Sequence, residues 1–354
     1  MEKAIYPGQL WKDTDGKPIQ AHGGSVYFED GIYYWYGENK EFTTGKENIW
    51  HWGVRCYSST DLCCWEDRGI IIPPETENEA STLHPFAMMD RPHIIYNKST
   101  KKYVCWMKIM NPGQGTQSMT ICVSDHFLGP YEKVRENFRP LNMNSGDFDL
   151  AVAEDGKAYI YFERVHTETI CADLTEDYCG VTGYYSTHFP KSGPPFVREA
   201  TAHFIRKGKH YLLTSGTTGY LPNPSEIAVA ETWHGPYTVL GNPILEDKSN
   251  TSFHSQISSV FRVNGEEDLY IAVADRWAPD LLDINYEAYG KIYEELFQNH
   301  NSTAYQTLMK YGDDTHRCTK DARYVWLPLC FEGDRPYIKW LDRWMPTKNG
   351  GGEE

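Results

Sequence analysis

Along the chain, short apolar or aromatic runs alternate with tight polar turns, and one grammar returns five times. Two apolar runs flank a turn containing Gly, Asn or Lys in SVYFEDGIYYWYGE (25–38), RPHIIYNKSTKKYVCWMKI (91–109), FDLAVAEDGKAYIYFE (148–163), TAHFIRKGKHYLLTSG (201–216) and SSVFRVNGEEDLYIAVADRW (258–277). Each reads as a β-hairpin, because the turn residues tolerate positive φ and the flanks are rich in β-branched and aromatic side chains. The starts are 66, 57, 53 and 57 residues apart, which is a period. A weaker strand-rich unit follows each hairpin, and Gly-Pro-Tyr recurs in two of these units, at 129–131 and 235–237. Five repeats of about four short strands predict an all-β fold, a five-bladed β-propeller whose radial repetition leaves few exposed edges.

One stretch breaks the pattern. Within residues 281–320, Tyr286, Tyr289, Tyr293, Leu296 and Phe297 recur with helical spacing, Asn285 or Asp283 is placed to cap a helix, and Asn301 to Gly312 reads as a second one. This helical insertion falls between the last two β-repeats and is expected on one face of the propeller, as a lid or as an interface for a homo-oligomer. The whole is expected to be a single catalytic domain over 1–346, with 347–354 a disordered tail.

Composition narrows the function. With 34 Lys+Arg against 49 Asp+Glu the formal charge is −15, which disfavours phosphate backbones and anionic lipid surfaces. Neither nucleic acid nor membrane is therefore an expected partner. No apolar stretch is long enough to span a membrane, and the charged start MEKAIYPGQLWKD does not read as a signal peptide, so a cytoplasmic location is expected. The nine cysteines, an odd number without a CxxC pair, sit mostly in apolar runs and read as reduced core residues. The sequons at Asn97, Asn250 and Asn301 then carry no meaning.

No zinc-protease, phosphate-loop or nucleophile-elbow motif occurs. In a propeller, however, the innermost strand of each blade brings its first residues to one end of the central channel. Gln20 and His22, Asp90 and Arg91, Asp147 and Asp149, Arg198 and Glu199, and His254 and Gln256 stand at the five starts. Acids opening apolar strands are costly unless paired or functional. Carboxylates around one pocket ringed by Trp and Tyr suit glycoside hydrolysis, in which a carboxylic acid protonates the leaving oxygen and a second polar group aligns water or attacks the anomeric carbon.

The motifs QAHGGSV (20–26), YYWYGE (33–38), DRPHIIYN (90–97), SGDFDLAVAEDGKAY (145–159), VREATAHFIRKGKHYLLTSGTTGYLPN (197–223), HSQISSV (254–260) and ADRW (274–277) resemble those of glycoside hydrolase family 43, whose members are five-bladed propellers that invert the anomeric centre. The resemblance is strongest to the branch of exo-β-1,3-galactanases and related galactofuranosidases and arabinofuranosidases. It implies Glu199 as general acid and Asp147 as the residue that orients and tunes it. The usual general-base Asp is replaced by Gly23, and the resemblance points to Gln256 in its place. An amide is a poor base, so Gln256 is expected to position the water, with Glu38 or Asp90 as charge support. Trp35, Tyr36, Trp106, Tyr220 and Trp277 are expected to stack on the sugar, and Arg91 or Arg276 to bond its hydroxyls, with His22 and Asp149 also at the binding site. The implied activity is release of a terminal galactosyl unit from β-1,3-galactan or arabinogalactan fragments. Release of galactofuranose or arabinofuranose, or sugar binding without hydrolysis, are the alternatives. No cofactor is required, although a structural calcium on the axis near His22 or His254 is conceivable from the same resemblance.

Overall fold

The computed structural model describes residues 3–111, 114–312 and 317–346, so the expected tail at 347–354 lies outside the described residues. Five antiparallel sheets follow one another in chain order. The first is β1 (His22–Glu29), β2 (Ile32–Glu38), β3 (Val54–Ser59) and β4 (Glu66–Ile72); the second is β5 (Met88–Asn97), β6 (Lys102–Asn111), β7 (Thr116–Ser124) and β8 (Glu132–Phe138). The third holds β9 (Ser145–Val152), β10 (Ala158–Arg164), β11 (Glu168–Leu174) and β12 (Val181–His188), and the fourth β13 (Arg198–Arg206), β14 (Lys209–Gly216), β15 (Glu226–Ala230) and β16 (Thr238–Gly241). The fifth is β17 (Gln256–Arg262), β18 (Tyr270–Arg276), β20 (Leu327–Glu332) and β21 (Arg335–Tyr337), with the short β19 (Arg323–Tyr324) also paired to β18.

All five predicted hairpins are the two inner strands of a blade. The inner strands β1, β5, β9, β13 and β17 neighbour one another in a closed ring. The ring is tied shut near the termini, where Ile5 bridges Trp344 and the Gly8 N–H donates to the Tyr324 carbonyl.

The core consists of the seams between blades, because each sheet buries both faces against its neighbours. The seam between blades 1 and 5 is the most aromatic: Trp35 packs against Trp65 and Trp326 with ring centroids 5.3 and 4.7 Å away. The seam between blades 3 and 4 is smaller and rich in histidine, with His203 stacked on Tyr161 at 4.8 Å. Cys56, Cys105, Cys122 and Cys171 are buried in strands, as small apolar groups.

The helical insertion departs from its expected place. It leaves the fifth blade after β18 and returns to it at β19, so it lies inside that blade rather than between two repeats. Helix α1 (Tyr286–Phe297) is capped by the Asn285 side chain, which accepts from the Glu287 N–H, and Asn301 caps α2 (Ser302–Leu308) in the same way. Tyr289 is fully buried on the inner side of α1. Among the described residues no helix is long and apolar enough to cross a membrane.

Candidate active site

Every inner strand carries one more residue than its partner near its start. The register shifts fall between His22 and Ser25, Asp90 and His93, Ser145 and Phe148, Glu199 and Ala202, and Ile257 and Ser259. Gly23, Arg91 and Ala200, inside three of these bulges, take φ of 62°, 55° and 51°. A bulge re-aims the side chains beside it. Here it turns residues from all five blades toward one cavity of about 570 Å³.

Glu38, Asp90, Arg91, Lys108, Asp147, Glu163, Glu199 and Gln256 line this cavity. Their bonds cross the channel. Arg91 donates to the Gln256 side-chain oxygen at 2.7 Å and pairs with Asp147 at 3.1 Å. Lys108 pairs with Asp147 at 2.7 Å and with Asp90 at 3.4 Å. The Trp50 indole donates to Asp90 at 2.7 Å, and buried Lys40 pairs with Glu38 at 2.7 Å. Gln256 donates its amide to Glu199 at 3.2 Å and to Ser215 at 3.0 Å, while its oxygen accepts from both Arg91 and the Trp277 indole. These bonds link residues of the different blades across the floor of the cavity.

Burial raises the cost of charge on all these carboxylates, and the neighbours decide which ones bear it. For Asp147, burial is outweighed by Arg91, Lys108 and the Ala200 N–H, which hold the carboxyl down to about 2. Glu199 lies at the other extreme: burial pushes it well above the usual carboxylate range, and the charges of Asp147 and Glu163 push it further. Burial pushes Glu163 up to about 7, with Asp147 adding to it against the His166 N–H. Burial also takes Glu38 to about 7, opposed mainly by Lys40.

Two further elements shape the walls. Trp50, Tyr220 and Trp277 form an aromatic row, with centroids 6.0 Å apart for the first pair and 5.0 Å for the second. Tyr293 and Phe297 of α1 also line the pocket, Phe297 beside His166. The Tyr293 hydroxyl donates to the Thr218 carbonyl at 2.8 Å, and Gln298 donates to the Pro194 carbonyl at 2.9 Å, fastening the helix over the blade 4 loops.

The structure thus gathers Glu199, Asp147, Gln256, Asp90, Glu38, Arg91, Tyr220 and Trp277 from those expected at the site. Six others lie elsewhere. Trp35 is fully buried in the seam between blades 1 and 5, Tyr36 accepts from the Ile94 N–H between blades 1 and 2, and Trp106 donates to the Tyr178 carbonyl between blades 2 and 3. His22 is fully buried between Asp275 and the Tyr324 hydroxyl, and Arg276 donates to the Phe253 carbonyl against Trp340. Asp149 lies in a separate cavity of about 160 Å³, pairing with His93 at 3.1 Å and accepting from the His203 N–H. Trp35, Tyr36 and Trp106 lie within their strands and face the next sheet, whereas His22 and Arg276, at strand ends, are turned into bonds with Asp275, Tyr324 and Phe253.

Lys108, Glu163 and Trp50 were not anticipated. A usable signal existed for two of them, since Lys108 and Glu163 each follow an apolar run near the end of a strand, KYVCWMKIMN and AYIYFER. Gly146 makes room for Glu163, because a Cβ there would fall 2.2 Å from its Oε2. His93 and His203 line the second cavity. Among the described residues no group of three or more His, Cys, Asp or Glu is arranged to hold a metal ion.

Residues 25–280 match the model of glycosyl hydrolases family 43. No curated protein sequence matches. Among solved structures, a family 43 β-1,3-galactosidase is 30% identical with a TM-score of 0.78; the match covers 98% of this chain but 64% of that one, so this chain spans under two thirds of its length. A second family 43 β-1,3-galactosidase, bound to galactodeoxynojirimycin, is 28% identical over 96% of this chain and 100% of that one, TM-score 0.76. An exo-β-1,3-galactanase from Clostridium thermocellum is 27% identical over 97% of this chain and 66% of that one, TM-score 0.76. The five-bladed fold, the carboxylates gathered at its mouth and the family match agree: the chain belongs to glycosyl hydrolase family 43.

Proposed function

We propose that the protein is an exo-acting glycosidase that releases a terminal galactosyl residue from β-1,3-linked galactan oligosaccharides with inversion. The observation that carries this reading is Glu199: a partly buried carboxyl without an ion-pair partner among the described residues, held by Gln256 at the floor of the pocket. Such a group keeps its proton near neutral pH and can give it to a glycosidic oxygen. Ionised Asp147, anchored by Arg91 and Lys108, discourages Glu199 from ionising in the resting enzyme.

Exo action is carried over from the similar galactanase structure. The Trp50–Tyr220–Trp277 row offers apolar faces to a pyranose ring, and the arginine and lysine of the floor offer donors to its hydroxyls. The galactose specificity rests on the similar structures, which are β-1,3-galactosidases and a galactanase. A panel of p-nitrophenyl glycosides with β-1,3-galactobiose tests it. Turnover of galactobiose and of p-nitrophenyl β-galactopyranoside is expected; activity confined to the arabinofuranoside or galactofuranoside would overturn the sugar assignment, and sugar binding without turnover would overturn the enzyme itself.

A further inference from the structure

An inverting hydrolase needs a proton acceptor for the attacking water on the side of the sugar away from the acid, with the two groups roughly 6.5–9.5 Å apart. Gln256 does not fit that part. It touches Glu199 directly, and its one acceptor oxygen already takes two hydrogen bonds, from Arg91 and Trp277. Asp147 is held too acidic by its two cations to take a proton, and Glu163 reaches the cavity from blade 3, next to the acid.

Glu38 stands differently. At Gly23, inside the β1 bulge, a Cβ would fall 2.4 Å from Glu38 Oε1, about the distance of a carboxylate oxygen from the Cβ of an aspartate. The end of β2 thus delivers a carboxylate oxygen to the space that a side chain at position 23 would fill. Around a five-fold ring, blade 1 faces blade 4 at about 140°. Arg91 spans the gap: its backbone N–H donates to Glu38 Oε1 at 2.9 Å, while its guanidinium reaches Gln256 and Asp147 beside the acid. Arg91 thus links Glu38, on one side of the cavity, to the two residues that flank the acid. Glu38 is 1% exposed, and apart from its ion pair with Lys40 its Oε2 has no hydrogen-bond partner among the described residues.

We infer that Glu38 is the general base, its carboxylate occupying the place left open by Gly23, with Gln256 a positioning residue for Glu199. The inference rests on the glycosidase reading above. In the step, an O–H bond of water breaks and its proton passes to Glu38. The water oxygen bonds to the anomeric carbon as the bond from that carbon to the leaving oxygen breaks, and Glu199 protonates that oxygen. One water is consumed, and the released sugar has inverted configuration. Burial raises Glu38 to about 7, which suits a base working near neutrality.

The test compares Glu38→Ala, Glu38→Gln, Gln256→Ala and Asp90→Ala on β-1,3-galactobiose with and without azide, each variant checked by its melting temperature. Both Glu38 variants should lose roughly 10²–10⁴ in kcat. Azide, which needs no base, should restore turnover to Glu38→Ala with α-galactosyl azide as product. A transplant guards against a mere folding defect: Gly23→Asp alone should be inactive because it collides with Glu38, while Gly23→Asp/Glu38→Ala should regain at least tenfold over Glu38→Ala. Glu38→Gln within tenfold of wild type, or azide product from Gln256→Ala or Asp90→Ala but not from Glu38→Ala, would overturn the inference. A wild type that ignores galactosides but cleaves another glycoside contradicts the sugar assignment alone, and the same comparison is then made on that glycoside.

Discussion

On the blade 1 and 2 side of the pocket, each carboxylate lies within 4 Å of a lysine: Glu38 beside Lys40, and Asp90 beside both Lys40 and Lys108. On the blade 3 and 4 side, only Asp147 is so provided, by Lys108 and Arg91, while Glu163 and Glu199 form no ion pair among the described residues. Glu38, Asp90, Asp147 and Glu163 are buried and Glu199 is partly so, and burial alone does not separate their roles. The placement of three cations does. A cation in contact favours the charged form, most strongly at Asp147, and suits a carboxylate to serve as base or anchor; where none is in contact the neutral form is favoured, which suits Glu199 to serve as acid.

The strongest way to break this contrast is to remove the acid. Glu199→Gln keeps the shape and the Gln256 contact but holds no transferable proton, so kcat/KM on β-1,3-galactobiose should fall by roughly 10³-fold or more, with far less loss on substrates whose leaving group needs no protonation. Steady-state kinetics on the two substrates check this, and equal losses would remove Glu199 from the acid's role.

Moving the cations sharpens the contrast. Lys108 links Asp90 to Asp147 and also lowers the pKa of Glu199 from a distance. In Lys108→Met the basic limb of the pH–rate profile should move to higher pH, because Glu199 then holds its proton more tightly, and kcat should fall on the order of 10²-fold as Asp147 loses its anchor. A basic limb that stays put or moves down would contradict the assignment.

The smallest expected effect concerns stability. The folded-state pKa of Glu163 is raised above its unfolded value, so the stability it contributes is full below about 4.5 and is lost as pH rises through about 7. Glu163→Gln fixes the neutral form. The melting temperature of this variant relative to wild type should therefore rise between pH 5 and pH 8, by a few degrees; an unchanged difference would mean that Glu163 ionises freely in the folded protein.

Much of this was legible in the sequence because a propeller writes its inner hairpins in plain alternation and at a steady period. Asp90, Asp147, Glu199 and Gln256 stood out as polar residues opening apolar strands. What escaped has a physical cause. An antiparallel partner ends where the first strand begins, so the ends of the second strands face the same mouth: Lys108 pairs with Asp90, and Ser215 with Glu199. Looking at strand ends as well as starts would have found Lys108 and Glu163. Trp35 and Trp106 misled because an aromatic residue buried in a seam and one stacking on a sugar look alike in a strand. Trp50 lies in the loop between β2 and β3, where no period points to it, and the insertion's true place depended on seeing β20 and β21 return to the same sheet as β18.

The opposed walls make one claim that can be read directly from the product. If Glu199 gives its proton from one side while a carboxylate on the other receives the proton of water, the anomeric carbon must invert. A ¹H NMR time course of β-1,3-galactobiose hydrolysis should show α-galactose first, with the β anomer growing in only at the rate of mutarotation. β-Galactose as the first product would contradict the account.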